Sequence, residues 1–142
     1  MYQVSEKILL TIWVGAMWSV GYIVTPVLFQ MLDKNVAGNV AAQLFTVISY
    51  IGLFATIALI INILVRFGFN RRHWQLWTLI GMLVIVITGQ FVFQPMMAEL
   101  KAAGLSGENA RHFGRLHGIA STLFLLNSLA GLALVIFGLS KK

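Results

Sequence analysis

The sequence predicts an all-α integral membrane protein, a four-helix bundle with both termini in the cytoplasm. All fourteen charged residues, ten basic and four acidic, lie outside four long segments at 8–32, 35–65, 73–98 and 116–140. Each segment exceeds the roughly 20 apolar residues that a helix needs to cross a bilayer. The run 80–87 does not alternate apolar and polar residues as a barrel strand would, so the spanning elements are predicted to be helices.

The chain is expected to form one membrane domain over residues 1–142. Asp33 or Asn35 is predicted to cap the second helix, and Ser106 followed by Glu108 is typical of a helix start outside the membrane. The four spans are predicted at about 8–31, 40–65, 74–96 and 116–138.

The distribution of basic residues predicts the orientation. Four spans place both termini and the link near residue 70 on one side, with six basic residues: Lys7, Arg66, Arg71, Arg72, Lys141 and Lys142. The other side has four: Lys34, Lys101, Arg111 and Arg115. The positive-inside rule therefore favours cytoplasmic termini and a multi-pass protein of the bacterial inner membrane.

The net charge of +6 is spread over short connections, with no basic face that could follow a nucleic acid backbone.

The lipid bilayer is the partner that this composition implies, and contacts with other membrane proteins or a second copy are left open. Two pairs of small residues, Gly15 with Ser19 and Gly118 with Thr122, are four residues apart. Such pairs allow close helix approach. They are expected to pack between helices inside the bundle.

Polar side chains within the spans are concentrated in the half that is predicted to face outward. Polar groups are costly in a membrane, so their positions are informative. Pro26 and Pro95 lie in the same half and are expected to break their helices, which would remove the amide donors for the carbonyls of Tyr22 and Phe91. The candidate ligand-binding residues are Thr25, Gln43, Thr46, Tyr50, Gln90, Gln94, His117 and Ser121.

These residues suggest a non-enzymatic protein that binds a small ligand or a partner, or a hydrogen-bond network that only holds the bundle together. No catalytic residue and no cofactor is predicted, because the sequence shows no nucleophile–base constellation. One alternative is the handling of copper or another soft metal, for which the candidate ligands are His112, His117, Met96 and Met97. The other alternative is a haem-linked oxidoreductase. Bis-histidine ligation would need two histidines at similar depth, whereas His73 is predicted at the opposite end from the other two.

An ordered set of short motifs resembles the transmembrane-protein-205-like family, whose bacterial branch is the domain of unknown function 4149. The set covers about residues 8–138 and consists of Trp13-Val-Gly15, Thr25-Pro26-Val-Leu-Phe29, Pro95 with Leu100, and Phe113-Gly-Arg-Leu116-His117 with Ser121 and Asn127. Thr25 departs from the small apolar residue that is common in the family before this proline. The resemblance implies a four-helix membrane protein without an established activity. It also implies a distant similarity to copper-resistance D proteins and to a family of histidine-containing protoporphyrinogen oxidases.

Overall fold

The computed structural model describes residues 2–69 and 72–139, which form four long helices joined by short connections. The first helix consists of Tyr2–Ser19, a π-helical turn Val20–Val24, and Thr25–Met31. The second helix is Lys34–Phe67. The third consists of Trp74–Thr88, a π-helical turn Gly89–Phe93, and Gln94–Ala102, and the fourth is Gly107–Phe137. The predicted all-α class is confirmed.

Each helix packs against its neighbour in the chain, and the first also packs against the fourth, so the four helices form a closed ring. The short connections at 32–33 and 103–106 lie at one end of the bundle, which we call the linker end. The end of the second helix at Phe67, the start of the third at Trp74 and the two outer helix ends lie at the other, which we call the terminal end. Connections this short require neighbouring helices to run in opposite directions.

The outer surface of the bundle is strongly apolar. All four helices are long and apolar enough to cross a membrane. Phe54 is 70%, Val65 80% and Phe137 69% exposed. Soluble proteins rarely show continuous apolar surface of this extent, whereas acyl chains would solvate it. The structure is therefore that of a multi-pass integral membrane protein.

The predicted orientation depends partly on residues that the structure does not describe. Of the six basic residues on the side predicted to be cytoplasmic, Arg71, Lys141 and Lys142 lie outside the described residues.

Glycines end two of the helices. Gly68 at φ 64° follows the second helix, and Gly138 at φ 72° follows the fourth. Their amides donate to the carbonyls of Leu64 and Leu134, at 3.0 and 2.9 Å, which satisfies an otherwise unpaired carbonyl at each helix end.

The residues predicted to cap helix starts behave differently from the expectation. Asp33 and Ser106 occupy the N-cap positions, but neither side chain makes a capping hydrogen bond. Asn35 lies within the second helix, which begins one residue earlier at Lys34. The orphan amides at these starts are therefore left to solvent or lipid headgroups, which is consistent with helix ends outside the hydrocarbon.

The solid core lies in the terminal half of the bundle. Trp13, Met17, Leu59, Leu79 and Leu134 represent all four helices, and each is at most 1% exposed. Two glycines allow this packing. A Cβ on Gly52 would lie 2.6 Å from Trp13 Nε1, and a Cβ on Gly131 would meet Val14 at 2.8 Å. Both glycines are buried, and each lies against side chains of the first helix.

The expected role of the small-residue pairs is wrong. Gly15, Ser19, Gly118 and Thr122 are exposed, and nothing lies within 4 Å of a Cβ built on either glycine. They face outward because the helix rotation is set by the larger side chains of the core. The spacing of small residues identifies a face suited to close approach, but it does not determine which way that face points.

An ion pair joins the first and second helices near the terminal end. Arg66 donates to the carboxylate of Glu6 at 2.5 Å, and the Glu6 side chain is only 6% exposed. The Arg66 guanidinium also lies 4.9 Å from the centre of the Phe67 ring. Pairing of this kind offsets the cost of holding a carboxylate away from water.

We expect Gly52→Ala to destabilise the bundle by about 1–3 kcal/mol, because the added methyl overpacks the contact with Trp13. Thermal unfolding in detergent, followed by tryptophan fluorescence, measures the effect. Gly81→Ala is the matched control, since it is also in a helix interior and has nothing within 4 Å of the added Cβ. Equal stability of the two variants would contradict the proposed helix contact.

Candidate functional site: an intramembrane cavity

A cavity of about 450 Å³ lies between the four helices, on the linker side of the core. We call it the central cavity, and all four helices contribute to its wall. Trp13, Ile48, Val86 and Asn127 line it at the core end. Thr25, Met97 and His117 line it nearer the linker end. The bundle is therefore solid in one half and hollow in the other.

The two π-helical turns lie beside the cavity and explain how the helices pass the prolines. Pro26 and Pro95 each follow such a turn by two residues, and each helix continues for several residues beyond its proline. This corrects the expectation that they break the helices. The extra residue in a π turn widens the helix, which relieves the clash between the proline ring and the carbonyl one turn earlier.

The widened turns also affect the carbonyls beside the prolines. The Thr25 amide donates to the carbonyl of Val20, and the Gln94 amide donates to that of Gly89, five residues back in each case. In the same register an amide at position 26 or 95 would donate to the carbonyl of Gly21 or Gln90, so the prolines remove that donor. The loss predicted at Tyr22 and Phe91 stays a prediction. Gly21 lines the cavity.

The cavity wall is mostly apolar, with polar groups towards its two ends. Aromatic and aliphatic side chains, including Phe45, Phe93 and Phe124, form its middle. The Phe45 and Phe124 rings meet edge to face at 5.2 Å. The polar residues that line it are Tyr22, Thr25, Ser49, Gln94, His117, Ser121 and Asn127.

Three buried polar atoms of residues that line the cavity have no hydrogen-bond partner: Trp13 Nε1, Thr25 Oγ1 and Asn127 Oδ1. Asn127 is 3% exposed, and its amide nitrogen contacts only the sulfur of Met17, at 3.4 Å. Buried polar groups are almost always hydrogen-bonded, and leaving one unpaired costs about 1–3 kcal/mol. The cavity therefore presents hydrogen-bonding groups that a bound molecule or water would satisfy.

His117 connects the cavity to the charged residues of the linker end. Its ring lies parallel to that of Phe113, with centroids 6.0 Å apart. Lys101 Nζ lies 5.8 Å from the centre of the same Phe113 ring and donates to Asn39 Oδ1 at 3.4 Å. Among the described residues, His117 has no hydrogen-bond partner in the protein. Its ring nitrogens are therefore available to a ligand.

A side-chain network joins the first and fourth helices on the core side of the cavity. The Ser128 hydroxyl donates to Leu125 O at 2.9 Å, so the Tyr22 hydroxyl, 2.7 Å away, is the donor to Ser128 Oγ. Trp18 Nε1 donates to Ser128 O at 3.3 Å, and the Trp18 and Tyr22 rings lie 5.0 Å apart. These contacts join the two helices immediately beyond the cavity.

The structure brings four of the eight predicted ligand-binding residues together in the cavity wall. They are Thr25, Gln94, His117 and Ser121. The Gln94 amide also donates to Ala42 O at 3.4 Å, which ties the third helix to the second. That any of these residues binds a ligand remains a prediction.

The other four do not line the cavity. Gln43 and Tyr50 are exposed on the outer surface, Tyr50 by 55%. The Thr46 hydroxyl donates to Ala42 O in its own helix at 2.9 Å. Gln90 is half-buried, and its Oε1 is buried without a partner outside the cavity wall. The second helix turns its Phe45–Ser49 face inward, so Gln43, Thr46 and Tyr50 lie outside the cavity wall.

The four candidate metal ligands do not converge. His117 and Met97 line the cavity, whereas His112 and Met96 are exposed and lie outside its wall. In the part of the chain that the structure describes, no group of three His, Cys, Asp or Glu side chains could hold a metal ion. His73 lies at the terminal end against Phe67, with ring centroids 5.3 Å apart, far along the bundle from His117.

Several lining residues were not among the predicted site residues: Tyr22, Ser49 and Asn127. A signal for Asn127 was present, because an amide in an otherwise apolar span is costly unless it is paired or functional. Tyr22 and Ser49 carry no comparable signal, since aromatic and hydroxyl side chains are common in membrane helices.

The fold and the cavity define a multi-pass membrane protein with a polar-lined cavity between its helices. The chain belongs to the family described as Domain of unknown function (DUF4149), whose model matches residues 8–106. The predicted family is therefore confirmed over the first three helices, and the motif Phe113-Gly-Arg-Leu116-His117 lies beyond the match. No curated protein and no solved structure matches the chain.

We expect Asn127→Leu to stabilise the ligand-free protein by about 1–3 kcal/mol, because it removes a buried acceptor without a partner at similar volume. The measurement is thermal unfolding in detergent. Ser128→Ala is the neighbouring control and should destabilise, since its hydroxyl is bonded on both sides. If Asn127→Leu lowers stability as much as the control, the Asn127 amide holds the bundle together and is not kept for a ligand.

Proposed function

We propose that this chain is a non-enzymatic protein of the bacterial inner membrane that binds a small molecule in the central cavity. The observation that carries the proposal is the pairing of a formed cavity with unsatisfied polar groups in its wall, Thr25 Oγ1 and Asn127 Oδ1. Functional sites are where a fold retains groups that weaken its own packing.

The size and chemistry of the cavity support binding. Its volume of about 450 Å³ lies within the range of small-molecule sites, roughly 300–1,000 Å³, which are mainly apolar with a few placed polar groups. The cavity combines phenylalanine walls with the side chains of Thr25, Gln94 and His117 at the linker side. A structural network alone would leave these groups paired with one another, and Thr25 and His117 are not.

The composition of the wall supports a binding role over catalysis. Among the described residues that line the cavity, none is Asp, Glu, Lys or Arg, and His117 is the only histidine. Acid–base chemistry commonly requires a proton acceptor and a second group that orients it. The imidazole of His117 stacks on Phe113 and has no such group on it.

For orientation we propose that the terminal end, and with it both chain ends, faces the cytoplasm, so that the cavity lies in the outer half of the membrane. The six-to-four bias of basic residues supports this arrangement. A green fluorescent protein fused after Lys142 should fluoresce, and alkaline phosphatase at the same position should be inactive. Fusions after Gly104, at the linker end, should give the reverse pattern. Active phosphatase after Lys142 would show that the orientation is inverted.

Ligand binding is tested by filling the cavity. Ala120→Phe places a ring in the cavity wall, whereas Ile119→Phe adds the same ring at a neighbouring position that is 50% exposed to lipid. Organic extracts of the purified proteins, compared by mass spectrometry, should contain a molecule that wild type and Ile119→Phe retain and Ala120→Phe loses. Ser49→Phe fills the cavity from the second helix and should act in the same way. If all four proteins yield the same extract, the cavity holds no specific ligand.

A further inference from the structure

We propose that the central cavity takes a single-chain amphiphile, a long-chain fatty acid or alcohol, which enters sideways from the bilayer between the first and fourth helices. This inference rests on the proposed function and specifies the chemical class of its ligand and the route of entry. It follows from where the cavity wall is open and from how polar and apolar groups are arranged along it.

The exposed residues of the wall show where the cavity opens. Four lining residues are exposed: Tyr22 on the first helix and His117, Ser121 and Leu125 on the fourth. The lining residues on the second and third helices are buried or half-buried. A side chain that both lines a cavity and is exposed lies at its opening. We call the gap between these four residues the lateral opening.

The lateral opening has a backbone cause. Tyr2–Ser19 packs against both the second and the fourth helix, whereas Thr25–Met31 packs against the second and lacks the extended contact with the fourth. The π turn Val20–Val24 lies between these two segments, at the level where the first helix leaves the fourth. The contacts of Trp18 and Tyr22 with Ser128 close the gap on the core side.

The opening faces lipid. His117, Ser121 and Leu125 are spaced by one helical turn, so they form a line of about 12 Å along the fourth helix. Leu125 is 46% exposed and lies well inside the span Gly107–Phe137. The lateral opening extends along the fourth helix as far as Leu125, so it contacts acyl chains as well as the polar region at the linker end of the bundle. The molecules that can reach it at highest concentration are membrane lipids.

The wall matches a molecule with one polar end. Thr25, Gln94 and His117 lie on the linker side of the cavity, and His117 and the cation Lys101 both lie about 6 Å from the Phe113 ring. Phenylalanine, isoleucine and methionine side chains continue from there towards Asn127, ten residues further along the fourth helix, or about 15 Å. A carboxylate or hydroxyl at the linker side would satisfy Thr25 Oγ1 and His117, and one alkyl chain would fill the apolar part. A cavity of about 450 Å³ favours one chain over two.

The test uses the full chain in liposomes of phosphatidylethanolamine and phosphatidylglycerol. Palmitic acid and hexadecanol, each with a mid-chain diazirine, serve as photoreactive probes, and labelled residues are located by mass spectrometry. We expect labelling of Met17, Ile48 and Phe45 in the cavity wall, and excess unlabelled palmitate or hexadecanol should reduce it about tenfold. Labelling of Phe54, which is 70% exposed on the outer surface, should not respond to the competitor.

A variant that plugs the lateral opening tests the route of entry. Ser121→Trp should reduce cavity labelling, whereas Thr122→Trp, one position further round the helix and outside the wall, should not. Leu125→Trp plugs the same opening if Ser121→Trp does not accumulate. Labelling that persists in both plugged variants would overturn lateral entry. The two probes distinguish the headgroups, since labelling by palmitate alone indicates an anionic ligand and labelling by hexadecanol alone a neutral one.

The failure of this inference can be distinguished from that of the proposed function. If both probes label only outer-surface residues while Ala120→Phe still displaces a molecule retained by wild type, the ligand is not a single-chain amphiphile and the binding function stands. If neither probe enters the cavity and no molecule is displaced, both proposals are wrong.

Discussion

The packing of Trp13 against Gly52 is the contact on which the arrangement of the bundle depends. Because Gly52 has no side chain, the indole lies fully buried directly on the second helix. Lipid provides no hydrophobic drive for helices to associate, so close van der Waals contact of this kind supplies much of the stability. Gly131 has the same role against Val14 and Met17. The terminal half can therefore be solid while the linker half remains hollow.

The π turn in the first helix lets one part of that helix pack closely while the part beyond the turn leaves a gap to the fourth helix. Before Val20 the first helix packs extensively against two neighbours, and after Val24 its extensive packing is with the second helix. The third helix has a comparable turn at Gly89–Phe93 but keeps its contact with the fourth beyond it. Both turns precede a proline, so the strain of the proline ring and the local widening of the helix occur at one level. That level is also where the cavity lies.

Thr25 and Asn127 in the cavity wall differ from two threonines elsewhere in the spans. Thr46 and Thr56 donate to carbonyls in their own helix, at 2.9 and 2.6 Å, which makes them tolerable in an apolar environment. Thr25 and Asn127 do not satisfy their oxygens in this way. The contrast matters because the residue types are alike and only their partners differ.

Residue order was sufficient to find the four helices, because the length of a charge-free segment depends on it alone. It was not sufficient to tell which way each helix faces. Gln43 and Tyr50 were predicted for the site and lie on the lipid side, whereas Ser49, between them, lines the cavity. Rotation about a helix axis is decided by contacts with other helices, and a shift of one residue turns a face by about 100°.

The sequence by itself thus determined the lipid solvent and the number of helices. Both follow from the cost of placing charges and polar groups in hydrocarbon. The tertiary structure alone decided that Thr25, Gln94, His117 and Ser121 share a wall, that Asn127 ends it, and that it opens between the first and fourth helices. The reason is that these properties depend on close contacts such as Trp13 with Gly52 and on the π turns, which set helix rotation and separation through packing between distant parts of the chain.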